Sequence, residues 1–398
     1  MHHDPKAMDF LAFYTGGQLL KQSPVNLYNL NLQHVLQQHI DPTTQTDRVF
    51  LPFLNPPFVA LFFQLLIPLG VVNAYAFFLG INITLLLLIC FAFLQQNKKM
   101  KWYYSLAFIL GALTFVPILI TLLVGQLSIF LCVIFLLSWL FLKKGWEFRS
   151  GLVLACILIK PHFFLLPFLA VLVQRRRRQV AGFTTGILFF IAVSYIAVGD
   201  KGMNSYISLM SVLFTTGTGY NINLMAQQSL QTMLLIIFHT HSLTQIRLVW
   251  AIASLCIAIP TLYVWAKRLP LSSPYLSLQF ALLIVATLVI SPHTHFYDVS
   301  VLLVVTILLL SVRNVFKNKQ KKLFIFLSIL NYCVPALGYC LFALSQNESQ
   351  VVWILPTSMY LIFFWIILLR VILQGKIISA KLEKGDIKDG ANDIYHKE

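Results

Sequence analysis

A carboxylate at Asp9, an amide at Gln126, an amine at Lys160 and the run Ser291-Pro292-His293-Thr294-His295-Phe296-Tyr297-Asp298 interrupt or flank long apolar stretches. An ionised side chain at membrane depth costs about 2.5 to 3.5 kcal/mol, so such groups persist where they face protein or water for a purpose. Carboxylate, amine and imidazole are the types that move protons and meet anions. Asn221, Asn223 and the stretch Gln227-Gln228-Ser229 add uncharged hydrogen-bonding groups. Each residue also has a plainer role open to it. Lys160 can snorkel to an interface, Gln126 can tie two helices together, and Asp298 can favour a helix N-terminus. His293 and His295 alternate as on an extended surface loop, and His239 and His241 read as structural.

Other chemistries find little support. His293 and His295 lack a third ligand at metal-binding spacing, and no pair of carboxylates in an Asp-x-Asp pattern accompanies Asp9. Neither a phosphate-binding G-x-x-x-x-G-K-[ST] loop nor a dinucleotide glycine fingerprint occurs. The six cysteines fall in or beside apolar segments without paired spacing and read as small core residues. No metal and no other cofactor is expected.

The elements that must position these groups follow from composition. Of 398 residues, 59% are hydrophobic and 11% charged, which excludes an ordinary soluble fold. Apolar runs of helix-spanning length recur, so the chain is predicted to be an all-α polytopic membrane protein. The net charge of +16 sits in short clusters between those runs, at Lys98 to Lys101, Lys143 to Arg149, Arg175 to Arg178, Lys267-Arg268, Arg313 to Lys322 and Arg370 onward. These clusters mark topology and give no reason to expect nucleic-acid binding. With the clusters cytoplasmic, nine crossings alternate: 72–95, 103–122, 127–142, 180–198, 248–265, 275–290, 298–312, 323–344 and 351–373. Asp9, Gln126, Lys160, the Asn/Gln stretch and the histidine run then share the external face, and a site opening outward is expected there.

Three segments resist a simple crossing. Residues 151–173 carry Lys160-Pro161 at their middle and basic clusters on both flanks, which predicts a hairpin that enters from the cytoplasm and returns. Residues 1–57 are predicted to form an extracytoplasmic loop whose amphipathic piece, around Phe10, Leu11, Tyr14 and Leu20, lies on the membrane surface as an interfacial helix. The weave also calls for a further apolar helix upstream of Met1. Phe58 to Leu69, behind Pro52, Pro56 and Pro57, is too short to span and fits a re-entrant or interfacial helix. Residues 58–373 then form the bundle, with a long external loop at 199–247 and a cytoplasmic tail at 374–398.

In order along the chain, Asp9-Phe10 with Tyr14, Leu27-Tyr28, Asn55-Pro56-Pro57, Gly125-Gln126-Leu127, Lys160-Pro161, Asn223 with Ser229-Leu230, and Ser291-Pro292-His293 with Tyr297-Asp298 resemble glycosyltransferase family 87. The resemblance covers Asp9 to about Val312. It implies a GT-C-like transmembrane bundle with short and re-entrant helices, in the bacterial plasma membrane. It implies transfer of a sugar, often mannose, from a polyprenyl-phosphate donor to a lipid or glycan acceptor on the outer face. Asp9 would be the general base, and inversion would follow. Lys160, His293 and His295 would meet the donor phosphate, with Tyr14, Gln126, Asn223, Tyr297 and Asp298 binding substrate. Two departures stand out: the family's first helix is absent from this sequence, and the last two spans match no motif. A competing class is a secondary transporter or lipid flippase, in which Lys160 and Asp298 form a coupling relay.

Overall fold

The computed structural model describes residues 8–40, 50–98, 100–216, 227–238, 242–344 and 351–383. Helices dominate them: α1 (Met8–Gln22), α2 (Leu30–Ile40), α3 (Pro57–Gln64), α4 (Gly70–Gln96), α5 (Trp102–Thr114), α6 (Val116–Val124), α7 (Ser128–Lys143), α8 (Glu147–Ala155), α9 (Leu165–Gln174), α10 (Arg177–Thr216), α11 (Leu230–Ile237), α12 (Leu243–Ala266), α13 (Pro274–Ile290), α14 (Leu302–Val312), α15 (Asn318–Leu344) and α16 (Val351–Glu383). Among the described residues five helices are long and apolar enough to cross a membrane, and α5 with α6 makes a sixth that bends by 42°. The expected single span over 103–122 is therefore broken. Phe115 leaves helical geometry ahead of Pro117, which supplies no backbone donor.

The shorter apolar helices are the interior of the bundle. Residues 276–289 of α13 are buried without interruption, as a helix with apolar residues on every side must be. Its polar members are held internally: Gln279 Nε2 donates to the carbonyls of Val264 and Lys267, and Thr287 Oγ1 donates to that of Leu283. Helices α12, α14 and α16 pack around it.

The expected hairpin is present. Helix α8 runs up, Lys160 turns the chain, and α9 returns to the level at which α8 began. Arg176 Nη1 donates to Glu147 Oε1 at 2.9 Å, which joins the exit of the hairpin to its entry. Helix α10 then climbs parallel to α8 in close contact. A Cβ on Gly151 would overlap the Gln179 carbonyl oxygen, and one on Gly182 would overlap that of Phe148. Glycine is what lets these backbones meet.

Polar contacts gather the basic clusters at one end of the bundle. Lys143 Nζ donates to Gln96, Arg313 Nη1 donates to Asn97, and Glu147 lies between Arg176 and Arg268. The turn at Lys160 is at the other end.

Two expectations for the flanking regions are corrected. Helix α1 does not lie on a surface: Phe10, Phe13, Tyr14, Leu19 and Leu20 are buried, and Thr15 is buried with its hydroxyl returned to the Leu11 carbonyl. Its main neighbour is α3, against which Gly17 packs. The region 199–247 is not one long loop. Helix α10 breaks only at Gly199, whose φ is +64°, and resumes to Thr216, while α11 and the start of α12 supply further helix at 230–237 and 243–247. Residues 217–226 lie outside the described residues.

Candidate functional site

Asp9 sits in the first turn of α1 beside Phe10, whose fully buried ring meets those of Phe63, Tyr75 and Phe78 at 5.9, 5.3 and 5.6 Å. Against Phe10 lies Gly125, the left-handed residue that ends α6 with φ +74°. A Cβ there would come within 2.6 Å of the Phe10 Cβ. This close approach brings the next residue to Asp9. Gln126 Nε2 donates to Asp9 Oδ2 at 2.9 Å and to the Tyr297 hydroxyl at 3.2 Å, while Gln126 Oε1 accepts from the Leu127 N–H. Tyr75 braces the same turn by donating to the carbonyls of Leu122 and Leu123, both at 2.9 Å.

Tyr297 leads to the hairpin apex. Lys160 Nζ stands 4.6 Å from the centre of the Tyr297 ring, a cation–π distance. The amine is 4% exposed and does not stand alone. It donates to Asp298 Oδ1 at 2.5 Å and to Ser128 Oγ at 3.0 Å, and the Ser128 hydroxyl donates to the same Asp298 oxygen at 2.7 Å. Asp298 Oδ2 accepts the backbone N–H of His295, closing the start of the 3-10 turn Phe296–Val301. Both oxygens of this fully buried carboxylate are occupied. Asn55 Nδ2 donates to the Ile159 carbonyl and pins the residue before Lys160.

The histidines form an adjoining wall. Gln227 pairs with His295 in an isolated antiparallel bridge, and the Gln228 N–H donates to the Thr294 carbonyl. Gln227 Nε2 lies 3.2 Å from His293 Nδ1, and Ser229 Oγ donates to the Pro292 carbonyl while capping α11. The His295 ring stacks on Tyr297 at 5.1 Å. His162 stands edge-on to His293 at 6.3 Å, and its Nε2 is buried without a hydrogen-bond partner.

These surroundings set the protonation states. Desolvation pushes the Asp9 carboxyl up to about 6, against a smaller downward pull from the Gln126 hydrogen bond and the Lys160 charge. Desolvation likewise pushes the imidazoles of His293 and His295 down to about 4, with Arg247 adding to the effect at His293. At neutral pH the site therefore holds a largely ionised Asp9 carboxylate and neutral His293 and His295 imidazoles. Among the described residues no group of three or more His, Cys, Asp and Glu is arranged to hold a metal ion.

Of the expected site residues, Asp9, Gln126, Lys160, Tyr297, Asp298 and His295 form one connected set of contacts, and His293 adjoins it through Gln227. Tyr14 does not join it; its hydroxyl donates to the Ile67 carbonyl at 3.3 Å. Asn223, His239 and His241 lie outside the described residues. Ser128 and His162 enter without having been anticipated. Each directly follows a motif that was singled out, Gly125-Gln126-Leu127 and Lys160-Pro161, and that adjacency was the available signal.

The family model of glycosyltransferase family 87 matches residues 53–292. No curated protein and no solved structure matches the chain.

Proposed function

The chain belongs to glycosyltransferase family 87, and we propose that it transfers a hexose such as mannose from a polyprenyl-phosphate donor to a hydroxyl of a lipid or glycan acceptor. The outer face of a bacterial plasma membrane is the proposed place of reaction. One observation carries this reading: the carboxylate at Asp9 reaches the Lys160 apex and the histidine wall through Gln126 and Tyr297, at the end of the bundle away from the basic clusters. By the positive-inside rule the basic end would be cytoplasmic, which supports a site on the outer face.

In this reading Asp9 takes the proton of the acceptor hydroxyl as that oxygen attacks the anomeric carbon. The bond from that carbon to the phosphate oxygen breaks on the opposite face, and the configuration inverts. Phosphate is already a good leaving group, so the second carboxylic acid of a glycoside hydrolase is unnecessary. A base of about 6 is largely ionised at neutral pH yet basic enough to receive a proton. Gln126 fixes the carboxylate by holding one oxygen, which leaves the other for the acceptor.

The departing lipid phosphate needs hydrogen-bond donors in a partly desolvated setting. Lys160 has spent two of its three N–H groups on Asp298 and Ser128 and offers the third. His293 and His295 are neutral before the donor arrives. An incoming phosphate compensates the burial that holds them so, and they gain protons as it binds. His162 stands beside them as a further donor. Tyr297 and Asn223 would contact the sugar; Tyr14, whose hydroxyl is taken up by the Ile67 carbonyl, would not.

The test is incubation of purified protein with labelled polyprenyl-phosphate mannose and a membrane lipid extract. A labelled glycosylated product, with free polyprenyl phosphate released only when acceptor is present, is expected. Movement of the labelled lipid across a vesicle bilayer without any product would overturn the reading in favour of a flippase, for which the buried Lys160–Asp298 pair would be the coupling element.

A further inference from the structure

The entry and exit of the hairpin frame a second polar feature, at the opposite end of the bundle from Asp9. A cavity of about 440 Å³ is lined by Gly145, Glu147, Arg175, Arg177, Arg178 and Arg268. Four arginines thus line one concavity with a single acidic residue among them. That carboxylate is already engaged: Glu147 Oε1 accepts from Arg176 Nη1 at 2.9 Å and lies 3.7 Å from Arg268 Nη2. Arg175, Arg177 and Arg178 have no carboxylate partner among the described residues.

The arrangement is costly in the absence of an anion. Arg177 and Arg178 occupy the first turn of α10, the end of a helix that disfavours cations, and Arg175 just before it is the one non-glycine residue with positive φ among the described residues, at +56°. In the same stretch of chain Arg176 is buried with its Nε lacking a partner, and both amide atoms of buried Gln174 lack one. A topology signal requires cations on one side of a membrane, but it does not require them to line a common hollow.

We propose that this cavity binds a phosphate-bearing anion, with Arg175, Arg177, Arg178 and Arg268 as its donors. Guanidinium matches phosphate because its planar fork donates two parallel hydrogen bonds to two oxygens of one group. The helix N-terminus contributes free N–H groups of the same polarity. The headgroup of an anionic lipid and a soluble phosphate both present this chemistry.

Native mass spectrometry of the detergent-purified full chain separates the two sources. The protein is exposed to short-chain phosphatidylglycerol, to phosphatidylcholine and, separately, to inorganic phosphate, with Lys321→Gln/Lys322→Gln as a variant of equal charge loss outside the cavity. Retention of phosphatidylglycerol over phosphatidylcholine, reduced about tenfold or more in Arg177→Gln/Arg178→Gln and again in Arg268→Gln but not in the lysine variant, is expected for a headgroup. The same dependence with inorganic phosphate, and its displacement of the lipid, identifies a soluble ligand. Equal losses in the arginine and lysine variants, or no preference for either phosphate species over phosphatidylcholine, would overturn the proposal. Asp9 is untouched by these variants, so sugar transfer reports separately on the other site.

Discussion

Replacing Asp9 with Asn should make the protein more stable and less active, and the gain should depend on pH in a direction the structure fixes. Burial raises the Asp9 carboxyl from its ordinary 3.8 to about 6, so the folded state resists the charged form. At about 1.4 kcal/mol per pH unit, ionised Asp9 costs the native state up to ~3 kcal/mol. The cost is absent below pH 4, where the carboxyl is neutral folded and unfolded. It grows as pH rises toward 6 and is complete above it. Asn has the same shape and keeps an oxygen to accept from Gln126 Nε2, but it never ionises. Thermal unfolding in detergent should therefore show Asp9→Asn matching the wild type near pH 4 and melting higher at pH 8, while sugar transfer falls by about 10² to 10⁴. A variant whose melting difference is the same at both pH values would refute the desolvation argument. One that keeps more than about a tenth of the wild-type rate would refute the base.

Lys160→Met should destabilise the fold by about 3 to 5 kcal/mol, since it leaves Asp298 buried without its cation, and Lys160→Met/Asp298→Asn should recover part of that loss in the same unfolding assay. Donor affinity should tighten as pH falls from 8 toward 5, because His293 and His295 near 4 take up protons only when phosphate arrives; measured in Asp9→Asn to silence the carboxyl, this slope should flatten in His293→Gln/His295→Gln. Gly125→Ala should cost about 1 to 2 kcal/mol from its left-handed conformation alone, and it should lower turnover by pushing Phe10, and Asp9 with it, away from Gln126. Chelation should leave the transfer rate unchanged, whereas loss of activity restored by magnesium or manganese would show that a metal takes part.

What the sequence conveyed, and what it concealed, divides along a physical line. Lys160-Pro161 in the midst of Leu, Ile and Phe is a conspicuous break, and the elbow is found there with the chain returning to Glu147. Basic clusters announce their common end because charge avoids lipid whatever the packing. Ser128 was invisible, since a serine opening an apolar helix is ordinary until Lys160 and Asp298 arrive from 32 and 170 residues away. Helix α1 misled for a related reason. Its Phe10, Leu11, Tyr14 and Leu20 read as an apolar side with a wet one opposite, but in the fold Thr15 is buried too and Phe53 and Phe63 pack against Gly16 and Gly17. The residues after Gly199 misled in the opposite sense. Asp200, Lys201, Asn204 and Ser205 read as a loop, yet a polar helix is as regular as an apolar one, and the change of composition does not end it.

The permanence of the Lys160–Asp298 pair bears on how such a site meets negative charge. Read along the chain, Lys160 is an isolated cation awaiting a phosphate; in the fold it is a neutralised member of a three-residue cluster with Ser128. An unpaired amine buried to this depth would destabilise the resting protein, so a standing cation is the costlier way to prepare for an anion. Imidazoles offer another. With burial holding His293 and His295 near 4 they are neutral at pH 7 when the site is empty, and in the proposed reaction they would acquire charge only with the donor phosphate in place. On that proposal the donor's own arrival would draw in the charge for the leaving group, and the Lys160–Asp298 pair would hold the apex in place and leave Lys160 a hydrogen-bond donor rather than a free cation.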